Sequence, residues 1–203
     1  MRFFLASGNP NKAREFQALA RALPVQIAPA SELGGMPPVE ESAGSFEGNA
    51  RLKARALLPV LPQGCWALAD DSGLCVDALG GLPGVDSAYY AGHPTDGAAN
   101  LAKLVSDMRG VETPLRRAHF RCVLVALGPA GQERVFDGRC DGRLLEKPRG
   151  TSGFGYDPLF VPDGFDLSFA ELGDDVKNGL SHRSRAWAKF TAWALSTFSP
   201  ARP

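Results

Sequence analysis

The chain has no excess of charge of either sign. Lys+Arg and Asp+Glu both total 22 among 203 residues, so the formal net charge is zero. That balance excludes a general nucleic-acid or membrane-surface binder, and it leaves room for a small anionic ligand held by local charge. Cysteine is scarce. Cys65, Cys75, Cys122 and Cys140 form no CxxC pair and no Cys/His zinc spacing. The expectation is a reduced, cytoplasmic protein in which Cys75 and Cys122, set in apolar runs, are buried thiols. No apolar stretch approaches a membrane span. The opening Met1–Ala6 turns polar at Ser7, too early for a secretory hydrophobic region. Repeats, low-complexity segments and clear linkers are missing. So are the GxxxxGK[ST] and GxGxxG loops of the commonest nucleotide binders.

What is present is an ordinary globular composition, 44% hydrophobic, enough to bury a full core in a single domain. Residues 2–6 read as a short buried strand, residues 7–12 as a loop, and Phe16, Leu19, Ala20 and Leu23 as a helical stripe ended by Pro24. Val25–Ala28 reads as a further strand, and residues 29–44, rich in Pro, Gly and Glu, as a loop. Ser45 is placed to cap a helix from Phe46 to about Leu58, with Phe46, Ala50, Ala54, Leu57 and Leu58 on its apolar face. Asn49 and Lys53 lie one turn apart on the adjoining face. Strands are predicted at 66–70 and 74–76, flanking an acidic turn. A helix capped by Thr95 carries Leu101, Leu104, Val105 and Met108. Phe120–Leu127 and Arg134–Leu144 read as a pair of strands joined across Gly128–Gly131. A last helix from about His182 to Phe198 buries Trp187, Phe190, Ala194 and Phe198. The mixture predicts an α/β domain whose sheet includes antiparallel hairpins.

The residues that carry chemistry cluster in a few places. Asp70-Asp71-Ser72-Gly73 follows the apolar Trp66–Ala69. Adjacent carboxylates repel, and a divalent cation or a positive partner relieves them. The same residue types also make an ordinary turn. Ser7-Gly8-Asn9-Pro10-Asn11-Lys12 lies between a strand and a helix, where backbone N–H groups and Lys12 suit an anion; a plain capped turn fits equally. Glu40-Glu41 is either a solvated loop or, folded over Asp70-Asp71, part of an oxygen-rich Mg²⁺ site. Glycines flank Phe154 in Gly153-Phe154-Gly155-Tyr156-Asp157-Pro158. Its ring either stacks on a planar base or covers a core edge, and Asp157 is a candidate acceptor for a ring N–H. Lys177 and Ser181-His182-Arg183 form a donor-rich cluster suited to a carbonyl or phosphate, or else a basic surface. Arg116, Arg117, His119 and Arg121 read as an exposed strand edge without a catalytic role.

These stretches, in this order, together with Phe46–Ala54, resemble the inosine triphosphate pyrophosphatases, also called Ham1-like or non-canonical purine nucleoside triphosphate pyrophosphatases. The resemblance runs from residue 2 to about 195. It implies one domain over 1–203, an elongated mixed β-sheet with helices on both faces and two lobes around a central cleft. It implies hydrolysis of ITP, dITP and XTP to the monophosphate and pyrophosphate, Mg²⁺ as cofactor, a homodimer, and no nucleic-acid or membrane partner. Carried over by motif, Ser7, Gly8, Asn9, Pro10, Asn11 and Lys12 would hold the triphosphate, with Asn49 and Lys53 at its phosphate end. Glu41 and Asp71 would bind Mg²⁺. Asp71 would also accept the proton of the attacking water, with Asp70 and Lys53 assisting. Ser72 would touch the substrate, and Phe154, with Gly155 and Tyr156, would stack on the purine. Asp157 would meet its edge, and Lys177, His182 and Arg183 would read it. Gly48 stands where many relatives carry Glu, and Ser7 where many carry Thr. The alternative is the related Maf-like class, acting on pyrimidine or modified nucleotides. A nucleotide-binding regulator without catalysis is disfavoured, because binding alone needs no water-activating carboxylate.

Overall fold

A computed structural model describes residues 1–20 and 25–198. Leu23 and Pro24, assigned above to the end of the first helix, lie outside the described residues. The elements run β1 (Arg2–Leu5), α1 (Pro10–Ala20), β2 (Gln26–Pro29), α2 (Phe46–Leu57), β3 (Trp66–Val76) and α3 (Gly97–Asp107). They continue β4 (Arg117–Leu127), β5 (Glu133–Leu144), β6 (Phe160–Pro162), α4 (Phe169–Leu180) and α5 (His182–Phe198). Strand order is β2–β1–β3–β4–β5–β6. The sheet is mixed, as predicted: β1 runs parallel to β2 and β3, with Phe3 opposite Ile27 and Trp66, whereas β6 runs antiparallel to β5. No helix of the described residues is long and apolar enough to cross a membrane.

The chain divides into two compact units. Among the described residues, 1–20, 25–71, 122–138 and 183–198 form the first; Ser72–Arg121 and Arg139–His182 form the second. In the first unit, Phe3, Leu5, Phe16, Trp66, Leu68, Leu124, Phe136, Trp187 and Phe190 make the core. β1 is short and buried on both faces, which is why it reads as an uninterrupted apolar run. α5 has the predicted boundaries, and its stripe of Trp187, Phe190 and Ala194 is buried. Trp187 Nε1 donates to the Leu19 carbonyl at 3.2 Å, pinning α5 to α1.

The second unit is built around Leu74, Val76, Leu104, Met108, Phe120, Tyr156, Phe160 and Phe169. Three expectations are corrected here. Asp96, not Thr95, caps α3: its carboxylate accepts from Ala98 N and Ala99 N, while the Thr95 hydroxyl donates to the Ala88 carbonyl. Arg116 is buried rather than part of an exposed edge. Its guanidinium donates to the carbonyls of Leu144, Met108, Val111 and Leu145, so backbone oxygens replace its hydration. Cys75 is half-buried, whereas Cys122 is fully buried as expected. The helix α4 has no counterpart in the sequence reading. Ser168 and Glu171 form a reciprocal capping box at its start, but Gly173 (φ 79°) interrupts it and breaks the apolar period that would have revealed it.

Candidate active site

The acidic pair does not sit in a turn. β3 runs unbroken from Trp66 to Val76, with Asp70 and Asp71 in its middle. Buried residues precede the pair (Trp66–Ala69), and Gly73 and Leu74, also buried, follow the half-buried Ser72, so the strand continues through it. Gly73 is required for that continuity: a Cβ there would lie 2.2 Å from the Gly84 carbonyl oxygen and 2.4 Å from Ser87 Oγ. In a strand, successive side chains leave opposite faces. The pleat therefore separates the neighbouring carboxylates, and each meets its own cation.

Asp70 is fully buried in the first unit. Lys12 Nζ donates to its Oδ1, Arg183 Nε donates to its Oδ2 at 3.2 Å, and the Cys122 thiol lies 3.2 Å from that same Oδ2. A terminal nitrogen of Arg183 bonds Glu15, and its guanidinium lies 5.7 Å from the Phe16 ring centroid. Burial opposes ionisation of Asp70, but the Lys12 and Arg183 charges outweigh it and hold the carboxyl well below the usual carboxylate range. Burial, reinforced by Asp70, pushes the Cys122 thiol well up, so it stays an S–H group. Asp70 is thus a fixed negative charge. Glu15, and the contact of the Cys122 thiol with Asp70, escaped the sequence reading. Glu15 carried one usable signal, lying three residues after Lys12 on the same helix.

Asp71 meets a different partner. Lys53 Nζ donates to Asp71 Oδ1 at 2.6 Å and to Glu41 Oε2 at 2.9 Å. Lys53 and Asn49 share the buried side of α2, whose Ser45 cap accepts from Gly48 N as the sequence implied. Asn49 Oδ1 accepts from Ala43 N at 3.0 Å, tethering the end of the loop that delivers Glu41. Burial works against the Lys53 ammonium, but Asp71 and Glu41 outweigh it and keep it charged. For Asp71 the balance tips the other way: burial pushes its carboxyl up to about 6 despite Lys53. Its Oδ2 is buried without a hydrogen-bond partner. A carboxylate oxygen in that position suits a cation. Among the described residues no group of three or more His, Cys, Asp or Glu side chains could hold a metal. Glu41 and Asp71 are the two carboxylates brought together on Lys53.

A carboxyl held above its ordinary 3.8 binds its proton more tightly in the folded chain than in the unfolded one. Its stabilising contribution is therefore full below the ordinary value and is lost as pH rises through about 6. In metal-free protein, the stability of the parent relative to Asp71→Asn is expected to fall by on the order of 1 kcal/mol from about pH 5 to about pH 8. Urea unfolding at both pH values measures it; a pH-independent difference would mean that Asp71 titrates like an ordinary carboxylate.

The Ser7–Lys12 segment begins α1 at Pro10, whose missing N–H costs nothing in the first turn. Asn9 Oδ1 accepts from Asn11 N and Lys12 N, and Ser7 Oγ accepts from Asn9 N. Asn9 thus caps the helix. Lys12 extends from that capped turn to Asp70.

The second unit holds the aromatic part. Phe154 is half-buried, with Lys177 Nζ 4.6 Å from its ring centroid. Asp157 Oδ2 accepts from Phe154 N at 2.8 Å and from Lys177 Nζ at 2.7 Å. Tyr156 belongs to the core and donates its hydroxyl to the Ser87 carbonyl at 2.8 Å. Of the two rings in this loop, then, Tyr156 covers the core and Phe154 does not. His182 is buried and stacks on Phe120, with ring centroids 4.8 Å apart and planes at 13°. Ser72 follows Asp71 on β3 and is half-buried, and Gly155 turns the loop at φ 63°.

Comparison with known proteins places the chain in a family. The Ham1 family pattern matches residues 3–193. A protein of Opitutus terrae named dITP/XTP pyrophosphatase is 58% identical over 199 residues, covering 95% of this chain and 98% of that protein. One of the same name from Bacillus subtilis is 40% identical, covering 92% of this chain and 93% of that protein. Among solved structures, a HAM1 protein from Coxiella burnetii superposes with a TM-score of 0.86 at 34% identity, covering 97% of this chain and 100% of that chain. The Staphylococcus aureus Ham1 protein gives 0.84 at 35% identity, covering 97% and 99%.

Proposed function

Because this chain belongs to the Ham1 family, we propose that it hydrolyses the non-canonical purine nucleoside triphosphates dITP, XTP and ITP to the monophosphate and pyrophosphate. One observation of the site carries the reading. Asp71 is a buried carboxylate held near the pH range of catalysis, with one oxygen on Lys53 and the other without a hydrogen-bond partner. A general base works best with a pKa near the operating pH, and Asp71 is the proton acceptor for the attacking water in this reading. Lys12 and Lys53 supply positive charge to the triphosphate, and Ser7–Asn11 and Asn49 shape its seat. Asp70 keeps Lys12 in place. Glu41 and Asp71 would hold Mg²⁺, which when bound supplies charge neutralisation for the departing pyrophosphate.

The base is assigned to the second unit's loop. Phe154 stacks on the purine, flanked by Gly155 and Tyr156, while Ser72 lines the substrate. His182 is assigned to the carbonyl at position 6. Arg183 is assigned to the same carbonyl, with two of its nitrogens anchored on Asp70 and Glu15. Adenine carries an amino group there. Donors facing it stay unpaired, at about 1–3 kcal/mol each, and a site built on hydrogen bonds rejects such a partner strongly. We also infer a single two-lobed catalytic domain, since β3, β4 and β5 each pass from one unit into the other. A cytoplasmic homodimer follows from the family resemblance.

Turnover of ITP, dITP, XTP, GTP and ATP, read by pyrophosphate release with and without Mg²⁺, tests the reading. Expected are kcat/KM values for ITP and XTP at least about 100-fold above ATP, lost on chelation of the metal. Equal turnover of ATP, or a preference for pyrimidines, would overturn it.

A further inference from the structure

We infer that Asp157 is a positioning residue, fastening Phe154 and Lys177 into one preformed platform on which the purine stacks, rather than a reader of the purine's edge. The inference rests on the assignment of Phe154 to the base. Three observations within the second unit carry it. First, a single oxygen, Asp157 Oδ2, takes both the Phe154 backbone N–H at 2.8 Å and the Lys177 ammonium at 2.7 Å. Second, that ammonium stands 4.6 Å from the Phe154 centroid, so one face of the ring is covered by a cation and the opposite face is left for a base. Third, the carboxylate is tucked against residue 153 so closely that a Cβ there would lie 2.2 Å from Asp157 Oδ2, and φ at Gly153 is +76°. A side chain at 153 is excluded on both counts, a requirement that base recognition alone does not impose.

The backbone fixes the same assembly. Asp157 N donates to the Phe154 carbonyl at 3.3 Å, and the Asp157 carbonyl accepts from Ala170 N at 3.3 Å, in the first turn of the helix that carries Lys177. The side chains of Lys177 and Asp157 are each only 4% exposed. A buried ammonium without its counter-charge is unstable where it stands. Removing the Asp157 charge therefore displaces Lys177, and with it the support beneath the ring.

The test separates base binding from phosphate binding. In Asp157→Asn, KM for ITP is expected to rise about tenfold or more while kcat falls less, since a base–aromatic stack is lost. The inhibition constant of inorganic tripolyphosphate, which has no base, is expected to stay within about twofold. Should that variant fail to fold, Asp157→Asn combined with Lys177→Met removes both buried charges, and the same pattern is expected of it. A parent-like KM for ITP in a folded variant overturns the inference. So does a proportional weakening of ITP and tripolyphosphate. The parent enzyme, assayed alongside, shows separately whether ITP is a substrate at all.

Discussion

Asp71→Asn is expected to lower kcat for ITP by roughly 10²–10⁴-fold while nucleotide affinity changes by no more than about threefold. Asparagine keeps the size of the side chain and its place on β3. It cannot take a proton from water at neutral pH, and it presents an amide where the buried Oδ2 without a partner now lies. Lys53 would keep Glu41 at 2.9 Å, so positive charge at the phosphate end survives the substitution. A stopped assay of pyrophosphate release gives kcat, and titration calorimetry with ITP gives affinity. Parent-like turnover in the variant would remove Asp71 from its role; a parallel loss of affinity would make it a binding group.

The neighbouring residue is expected to fail differently. Asp70→Asn would leave Arg183 and Lys12 facing a neutral amide in a fully buried position. Removing one partner of a buried ion pair costs about 3–5 kcal/mol, because the remaining charge stays out of water. In a chain of this length that corresponds to a loss of about 10 °C or more in Tm. Calorimetry on the metal-free protein measures it. A Tm within about 2 °C of the parent would mean that the cluster does not hold the first unit together. Adjacent acids thus differ in how firmly they hold a proton. Burial dominates at Asp71, and two cations outweigh burial at Asp70.

Much of this was legible in the residues and some of it was not, for physical reasons. Signals confined to a few neighbours in sequence survived. Ser45 capped its helix, α5 kept its boundaries, and the strand pair on either side of Gly128–Gly131 formed. Asp70 and Asp71 were found by composition, but their setting was misjudged, because Asp, Ser and Gly favour turns locally and long-range pairing overrode that preference. Thr95 and Asp96 are both good caps, and only the backbone geometry chose between them. The burial of Arg116 depends on four carbonyls scattered from Met108 to Leu145, and no local pattern announces it. Glu15 and Cys122 matter because distant segments bring Arg183 and Asp70 to them. The separate placement of Tyr156 in the core and Phe154 beside Lys177 depends on how the Gly153–Pro158 loop is held, which composition does not encode.

The pleat of β3 has one further consequence. Insertion of a single residue just before Asp70 would carry Asp70 into the place of Asp71, toward Lys53, whereas a deletion there would carry Asp71 into the place of Asp70, toward Lys12 and Arg183. Either change keeps both acids in the chain yet leaves one of the two cation clusters without its carboxylate. The register of this strand is therefore as much a part of the site as the identity of its two acids.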